Sequence, residues 1–88
     1  MSAVILDVGA DIGALVLYTP AAMDGQEIEI STGGQPRTHN VVRRRDTGDY
    51  AAVYPGLPSG DYTIWHGDAP ATTAIVAGGT VTTCHWPQ

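Results

Sequence analysis

The sequence contains no phenylalanine and one cysteine, Cys84. A lone cysteine excludes an internal disulfide, so an apolar core must hold the fold together, and a small disulfide-stabilised secreted scaffold is disfavoured. Because phenylalanine is absent, the four tyrosines and two tryptophans must supply the aromatic side chains of that core or of a binding surface.

Lysine is also absent, and four arginines stand against nine aspartates and glutamates, which gives a formal net charge of −5. A chain this acidic lacks the positive field that attracts nucleic acids and anionic membranes, so we expect neither as a partner. No stretch approaches the roughly 20 apolar residues of a membrane span. The apolar run at residues 3–6 has no preceding basic residues and is too short for a signal peptide. These features predict a cytoplasmic protein.

The chain is rich in turn-forming residues, with 11 glycines and six prolines among 88 residues. That composition favours short strands joined by turns, and the length fits one domain over residues 1–88. We expect an all-β fold, a small antiparallel β-sandwich of about seven strands. The sequence predicts seven or eight strands in all, with candidates at residues 3–8, 13–19, 26–31, 37–46, 50–54, 61–66, 72–77 and 80–86.

Local patterns refine several of these strands. Residues 26–31 alternate, which places Ile28 and Ile30 in the core and the two glutamates between them in solvent. Three consecutive arginines cannot all point inward, so residues 37–46 are expected at a sheet edge, or to leave the sheet after Val42. The stretch 50–65 predicts a hairpin with aromatic residues on both sides of its turn, and Gly78 and Gly79 predict a second one.

The motif PGLPSGDYTIW, followed by AGGTVT, resembles the closing half of prealbumin-like modules. These include the carboxypeptidase regulatory-like domain, the collagen-adhesin B-type repeat and the PEGA domain. The resemblance covers about the last 40 residues and implies a β-sandwich while leaving the function open. The isopeptide crosslink of the adhesin repeats is impossible here, because it needs a lysine.

The whole chain also resembles short actinobacterial proteins, some of them labelled phospholipase. The serines are Ser2, Ser31 and Ser59, and none lies in a G-x-S-x-G elbow. Ser59 lies in a Pro-Ser-Gly turn, where serine is a common turn residue. We therefore expect no catalytic residue.

Histidines could build a metal site. If residues 61–66, 72–77 and 80–85 form an up-down-up meander, His66 and His85 end at the same rim, where Asp68 could join them around Zn²⁺ or Cu²⁺. No metal-ligand spacing is present, so solvated strand-end histidines are the alternative. Cys84 is expected to be a packed, inert thiol, and His39 to have a structural role.

Arg43, Arg44 and Arg45 form the one concentrated positive feature. With Arg43 and Arg45 as binding residues, it could receive a phosphate, a carboxylate or an acidic protein surface. Alternatively, the arginines pair with acidic residues across neighbouring strands. The acidic candidates are Glu27, Glu29, Asp46 and Asp49.

Trp65 alternates with the core residues of its strand and could point outward. It would then belong to an aromatic platform for sugars, and core or interface packing is the alternative. The other members of that platform would be Trp86, Tyr50, Tyr54 and Tyr62. Taken together, the sequence predicts a non-enzymatic protein-interaction or accessory module. Its partner would be another protein or a second copy in a homo-oligomer. The alternative is a small metal- or ligand-binding protein that uses His66, His85 and Asp68.

Overall fold

The computed structural model describes residues 8–87, so the predicted strand over residues 3–8 lies outside the described part except for its last residue. The described residues form eight strands and one short 3-10 turn, which confirms the all-β expectation with eight strands rather than about seven. The strands are β1 (Ile12–Thr19), β2 (Glu27–Thr32), β3 (Thr38–Val41), β4 (Arg43–Arg44), β5 (Tyr50–Pro58), β6 (Gly60–His66), β7 (Ala69–Val76) and β8 (Val81–His85), with the 3-10 turn at Ala21–Met23. None of the helical structure between residues 8 and 87 could span a membrane.

Two four-stranded sheets pack face to face as a sandwich. The first sheet has the order β4-β5-β1-β8 and the second the order β3-β2-β6-β7. Neighbouring strands are antiparallel except β1 and β8, which run parallel. β3 and β4 are thus the edges on one side of the sandwich, and β7 and β8 are the edges on the other.

The core lies between the sheets and follows the alternation of each strand. Leu15 and Leu17 of β1 are fully buried, as expected for the central apolar strand. On β2, Ile28 and Ile30 are buried while the glutamates on either side of Ile28 are exposed, which confirms the predicted alternation. The rest of the main apolar cluster comes from residues 42–76: Val42, Ala52, Tyr54, Leu57, Tyr62, Ile64, Ala74 and Val76.

The chain crosses between the sheets at Val42. β3 is the edge strand of the second sheet, Val42 is fully buried, and β4 then begins as the edge strand of the first sheet. The Val42 N–H donates to the Gln26 carbonyl and the Val42 carbonyl accepts from the Gly25 N–H, both at 2.9 Å. Residues 37–46 therefore lie at sheet edges and also leave the second sheet at Val42. The structure combines the two predicted alternatives.

The predicted hairpin at residues 50–65 is wrong in its pairing. β5 continues as far as Pro58 and belongs to the first sheet, while β6 belongs to the second sheet. The two strands therefore form a corner between the sheets around Ser59. Pro55 fits within β5 because β4 covers only two residues of its outer edge, so the Pro55 ring displaces no ladder hydrogen bond there.

The Gly78-Gly79 turn is likewise a crossover and not a hairpin. β7 ends in the second sheet, and β8 pairs with β1 in the first sheet. The turn packs directly on the start of β1, where the Gly79 N–H donates to the Ile12 carbonyl at 2.9 Å. A Cβ on Gly78 would collide with the Ala10 carbonyl oxygen, and a Cβ on Gly13 with the Ala77 carbonyl oxygen. The close approach of two backbones thus directs β8 into the first sheet.

Candidate functional site

The residues 40–45, which we call the arginine edge, carry the predicted binding residues Arg43 and Arg45 on the β3/β4 side of the sandwich. The structure brings both arginines to one depression of about 280 Å³. Its lining residues are Asn40, Val41, Arg43, Arg45, Val53 and Pro55. The side chains converge there because the crossover at Val42 places the end of β3 and the start of β4 next to the middle of β5.

Arg45 is held in place by the backbone of β5. Its Nε and Nη2 atoms donate to the Ala51 carbonyl oxygen at 3.2 and 2.7 Å. The Arg45 N–H also donates to the Asp49 carbonyl at 2.7 Å. Nη1 has no acceptor among residues 8–87. The guanidinium is therefore oriented by the protein while part of its donor set stays open to a ligand.

The interpretation that Arg43, Arg44 and Arg45 pair with neighbouring acidic residues is wrong within the described part of the chain. The ion pair found there joins Arg37 and Glu29, with 3.0 Å between Nη1 and Oε1. For the two glutamates the physical reason is the crossover, because Val42 moves the three arginines to the first sheet while Glu27 and Glu29 remain on β2 of the second. Of the two aspartates, Asp49 accepts a hydrogen bond from Thr47 Oγ1 instead, at 3.0 Å. Arg43 and Arg44 are exposed to solvent.

Asn40 lies at this site but is not among the residues predicted from the sequence. Its Nδ2 donates to the Val53 carbonyl at 2.7 Å and its Oδ1 accepts from the Val41 N–H at 2.8 Å, so it joins the edges of the two sheets. The signal that could have found it is its position two residues before the buried Val42. A polar side chain that shares a face with a core residue needs hydrogen-bond partners.

Trp65 lies on the outer face of the second sheet, as its alternation predicts, and Arg37 covers it. The Arg37 guanidinium carbon lies 3.8 Å from the centre of the indole ring. The Trp65 Nε1–H donates to Ser31 Oγ at 2.9 Å, and Arg37 Nη1 also donates to the Gly67 carbonyl at 2.9 Å. One face of the ring is therefore occupied, which leaves no open stacking surface on that side.

The other members of the predicted aromatic platform do not gather around Trp65. Tyr54 and Tyr62 are buried in the core. Their hydroxyl groups donate to the Ile28 and Pro58 carbonyls, each at 2.7 Å. These two tyrosines therefore pack in the core, which was the alternative to a sugar platform.

The predicted meander that would bring the histidines together is wrong, because β6 and β8 lie in different sheets. His85 stacks on Tyr18 of the first sheet with the ring centroids 5.3 Å apart. His66 meets Trp86 edge to face at 5.5 Å. Within residues 8–87, no group of three or more His, Cys, Asp or Glu side chains could hold a metal ion, so His66, His85 and Asp68 are not assembled as a Zn²⁺ or Cu²⁺ site.

Cys84 is half-buried and packs against the core cluster. Burial raises the pKa of the Cys84 thiol, which keeps it protonated at neutral pH and thus a poor nucleophile or metal ligand. Burial also raises the pKa of Tyr54 and of Tyr62. These groups therefore act as neutral packing and hydrogen-bonding groups.

A second depression, of about 420 Å³, lies between the β2–β3 loop and the end of β5. Its apolar floor is made by Ile30, Leu57 and Tyr62, and Gln35, Pro36 and Pro58 stand at its walls. None of its lining residues carries a charge. It is larger than the depression at the arginine edge but offers a ligand no charged group to recognise.

Comparison with protein-family models, with curated proteins and with solved structures gives no match to this chain. The resemblance to prealbumin-like modules therefore stays a prediction, and the arginine edge is the feature that bears on function.

Proposed function

We propose that this chain is a non-enzymatic protein-interaction module that binds an acidic segment of another protein at the arginine edge. The observation that supports this is the depression shared by Arg43 and Arg45, neither of which has an ion-pair partner among residues 8–87. Two arginines facing one depression form a focused positive site on a chain whose net charge is −5.

The chemistry of guanidinium groups favours a carboxylate partner. Arginine can donate two parallel hydrogen bonds to one carboxylate, which gives such contacts both strength and orientation. Arg45 is already held by two bonds to the Ala51 carbonyl, so it loses less side-chain freedom on binding than an arginine that is free in solvent. Arg43 is exposed and lines the same depression, so its guanidinium can also contact the partner.

The geometry favours binding through side chains over the addition of a strand to β5. The outward carbonyls of Ala51 and Val53 already accept hydrogen bonds from Arg45 and Asn40. Pro55 has no N–H to offer. A partner at this edge would therefore be recognised through its carboxylates.

A direct test is calorimetric titration of the full chain with an unstructured glutamate-rich peptide at low ionic strength. We expect binding that weakens when the salt concentration rises from about 20 mM to about 150 mM, because screening shortens the reach of the charges. Arg43→Glu should abolish most of the binding. Arg44→Glu is the matched control, since it changes the net charge equally on a residue that does not line the depression.

Two results would overturn the proposal. One is the absence of measurable binding by the unmodified chain at low salt. The other is an equal loss in Arg43→Glu and Arg44→Glu, since that would show a response to net charge alone and no site at the depression.

A further inference from the structure

One row of residues crosses the outer face of the first sheet, from the arginine edge to β8. Arg43 of β4 pairs with Ala51 of β5, which also pairs with Tyr18 of β1. Tyr18 in turn pairs with His85 of β8. Tyr18 follows the fully buried Leu17 and therefore points outward, and residues that pair across strands share one face of a sheet. The row thus carries a positive charge at one end and two rings at the other.

A depression of about 280 Å³ lies beside these two rings, and we call it the ring depression. Its lining residues are Tyr18, Thr19, Asp49, Tyr50 and His85. The Tyr18 and His85 rings are stacked with their centroids 5.3 Å apart, so each ring limits the movement of the other. Tyr50 adds a third ring from β5. The ring depression therefore offers aromatic surface to a flat ligand group, which the depression at the arginine edge does not.

Asp49 sets the polarity of the ring depression. Its Oδ2 accepts from Thr47 Oγ1 at 3.0 Å, and its Oδ1 has no donor among residues 8–87. This carboxylate repels a second carboxylate but can accept a hydrogen bond from a hydroxyl group. Arg44 lies opposite Tyr50 on β4 but does not line the depression. A phenol suits these walls, because it combines a flat ring with an O–H donor.

We infer that the ring depression holds a tyrosine side chain of the same acidic segment that binds at the arginine edge. The inference rests on the proposed function and adds a second requirement to the sequence of the partner. The tyrosine ring packs against Tyr18 and His85, and its hydroxyl donates to Asp49 Oδ1. Offset or edge-to-face contacts between rings add to the free energy that burial alone supplies.

Spacing and charge determine how the segment lies on the two depressions. Arg43 and Tyr18 are two strands apart, which is roughly 10 Å across a sheet, and about three residues of an extended chain span that distance. We therefore expect the acidic residue and the tyrosine about three positions apart in the partner. Arg43 and Arg45 attract the carboxylate to the arginine edge, while Asp49 disfavours it in the ring depression.

The test is calorimetric titration of the full chain with three unstructured peptides of equal charge. Each peptide carries a run of glutamates, a spacer of two glycines and then tyrosine, phenylalanine or alanine. We expect the tyrosine peptide to bind about threefold or more tightly than the alanine peptide, which is the range of single aromatic contacts. The phenylalanine peptide should fall between them, because it lacks the hydroxyl that donates to Asp49.

Variants of the chain locate the tyrosine. Tyr18→Ala and His85→Ala should each remove most of the preference for tyrosine over alanine. His39→Ala is the matched control for His85→Ala, since it removes an exposed imidazole from the other sheet, and it should keep the preference. The preference is a ratio of two affinities measured on the same protein, so a partial loss of folded chain in a variant does not change it.

The outcomes separate this inference from the proposed function. If the tyrosine peptide binds no more tightly than the phenylalanine or the alanine peptide, the inference is overturned while binding of the glutamates still supports the arginine edge. A preference for tyrosine that persists in both Tyr18→Ala and His85→Ala also overturns it, because the ring then binds elsewhere. If none of the three peptides binds the unmodified chain, the proposed function fails and the inference fails with it.

Discussion

At the scale of single residues, Asn40 links the two sheets although its side chain is exposed. Its side chain ties the end of β3 in the second sheet to Val53 of β5 in the first, and it also caps the Val41 N–H. These two bonds hold the crossover at Val42 in place, and they shape one wall of the depression at the arginine edge.

Asn40→Ala removes both bonds, and we expect it to lower the free energy of unfolding by about 1–2 kcal/mol, because the Val53 carbonyl loses its partner in a partly buried setting. Urea denaturation followed by tryptophan fluorescence measures the change. His39→Ala is the matched control, since His39 is the exposed neighbour on the same strand, and it should stay within about 0.5 kcal/mol of the unmodified chain. Equal losses in the two variants would contradict this role for Asn40.

At the scale of elements, the crossovers between the sheets were the hardest feature to predict. The alternation of β2 and the exit of the chain at Val42 follow from residues that are adjacent in sequence, and both were predicted. The pairing of β8 with β1 depends on a close approach between Gly13 and the turn at Gly78, which lie 65 positions apart in the chain. The local pattern around Gly78 and Gly79 is the same for a hairpin and for a crossover, so it could not distinguish them.

The candidate site was likewise predictable only where it depends on residues that are adjacent in the sequence. Arg43 and Arg45 were selected because three consecutive arginines are conspicuous in an acidic chain. Their lack of ion-pair partners among residues 8–87 was not predicted, because it results from the change of sheet that separates them from Glu29. For a related reason His66, His85 and Asp68 are not brought together among residues 8–87, since β6 and β8 lie in different sheets and not in one.

The close approach at Gly78 makes a prediction about β8. Gly78→Ala places a methyl group against the Ala10 carbonyl, a rigid backbone atom, so the turn must move away from β1. We expect a loss of about 2–4 kcal/mol in the free energy of unfolding, in the range of overpacked and strained positions. Gly34→Ala is the control, because no atom lies within 4 Å of its added Cβ. A Gly78→Ala protein as stable as Gly34→Ala would mean that β8 does not depend on this contact.

At the scale of the whole molecule, the two sides of the sandwich have opposite characters. The β3/β4 side carries three of the four arginines and has its β5 carbonyls covered by Asn40 and Arg45, whereas none of the eight residues of β7 carries a charge. The positive charge that a carboxylate ligand needs is thus concentrated on one side of the molecule.

The whole fold should also lose stability in alkali, because its buried ionisable groups are neutral acids. The pKa of Tyr54 is raised above its ordinary value of 10.0, first by burial and then by the nearby Cys84, and burial raises the pKa of Tyr62 in the same direction. A pKa that is higher in the folded than in the unfolded chain means that the unfolded chain releases its proton first. The contribution that the two neutral tyrosines make to the free energy of unfolding is therefore complete below about pH 10. It is lost as the pH rises above that value.

Tyr54→Phe tests this directly. At neutral pH the variant should be less stable by about 1–2 kcal/mol, because the buried Ile28 carbonyl loses the hydroxyl that donates to it at 2.7 Å. Between about pH 9 and pH 11.5, however, its free energy of unfolding should fall less steeply than that of the unmodified chain, because one raised phenol pKa has been removed. Urea denaturation at several pH values gives both curves. Parallel curves over this range would show that Tyr54 does not control the alkaline transition.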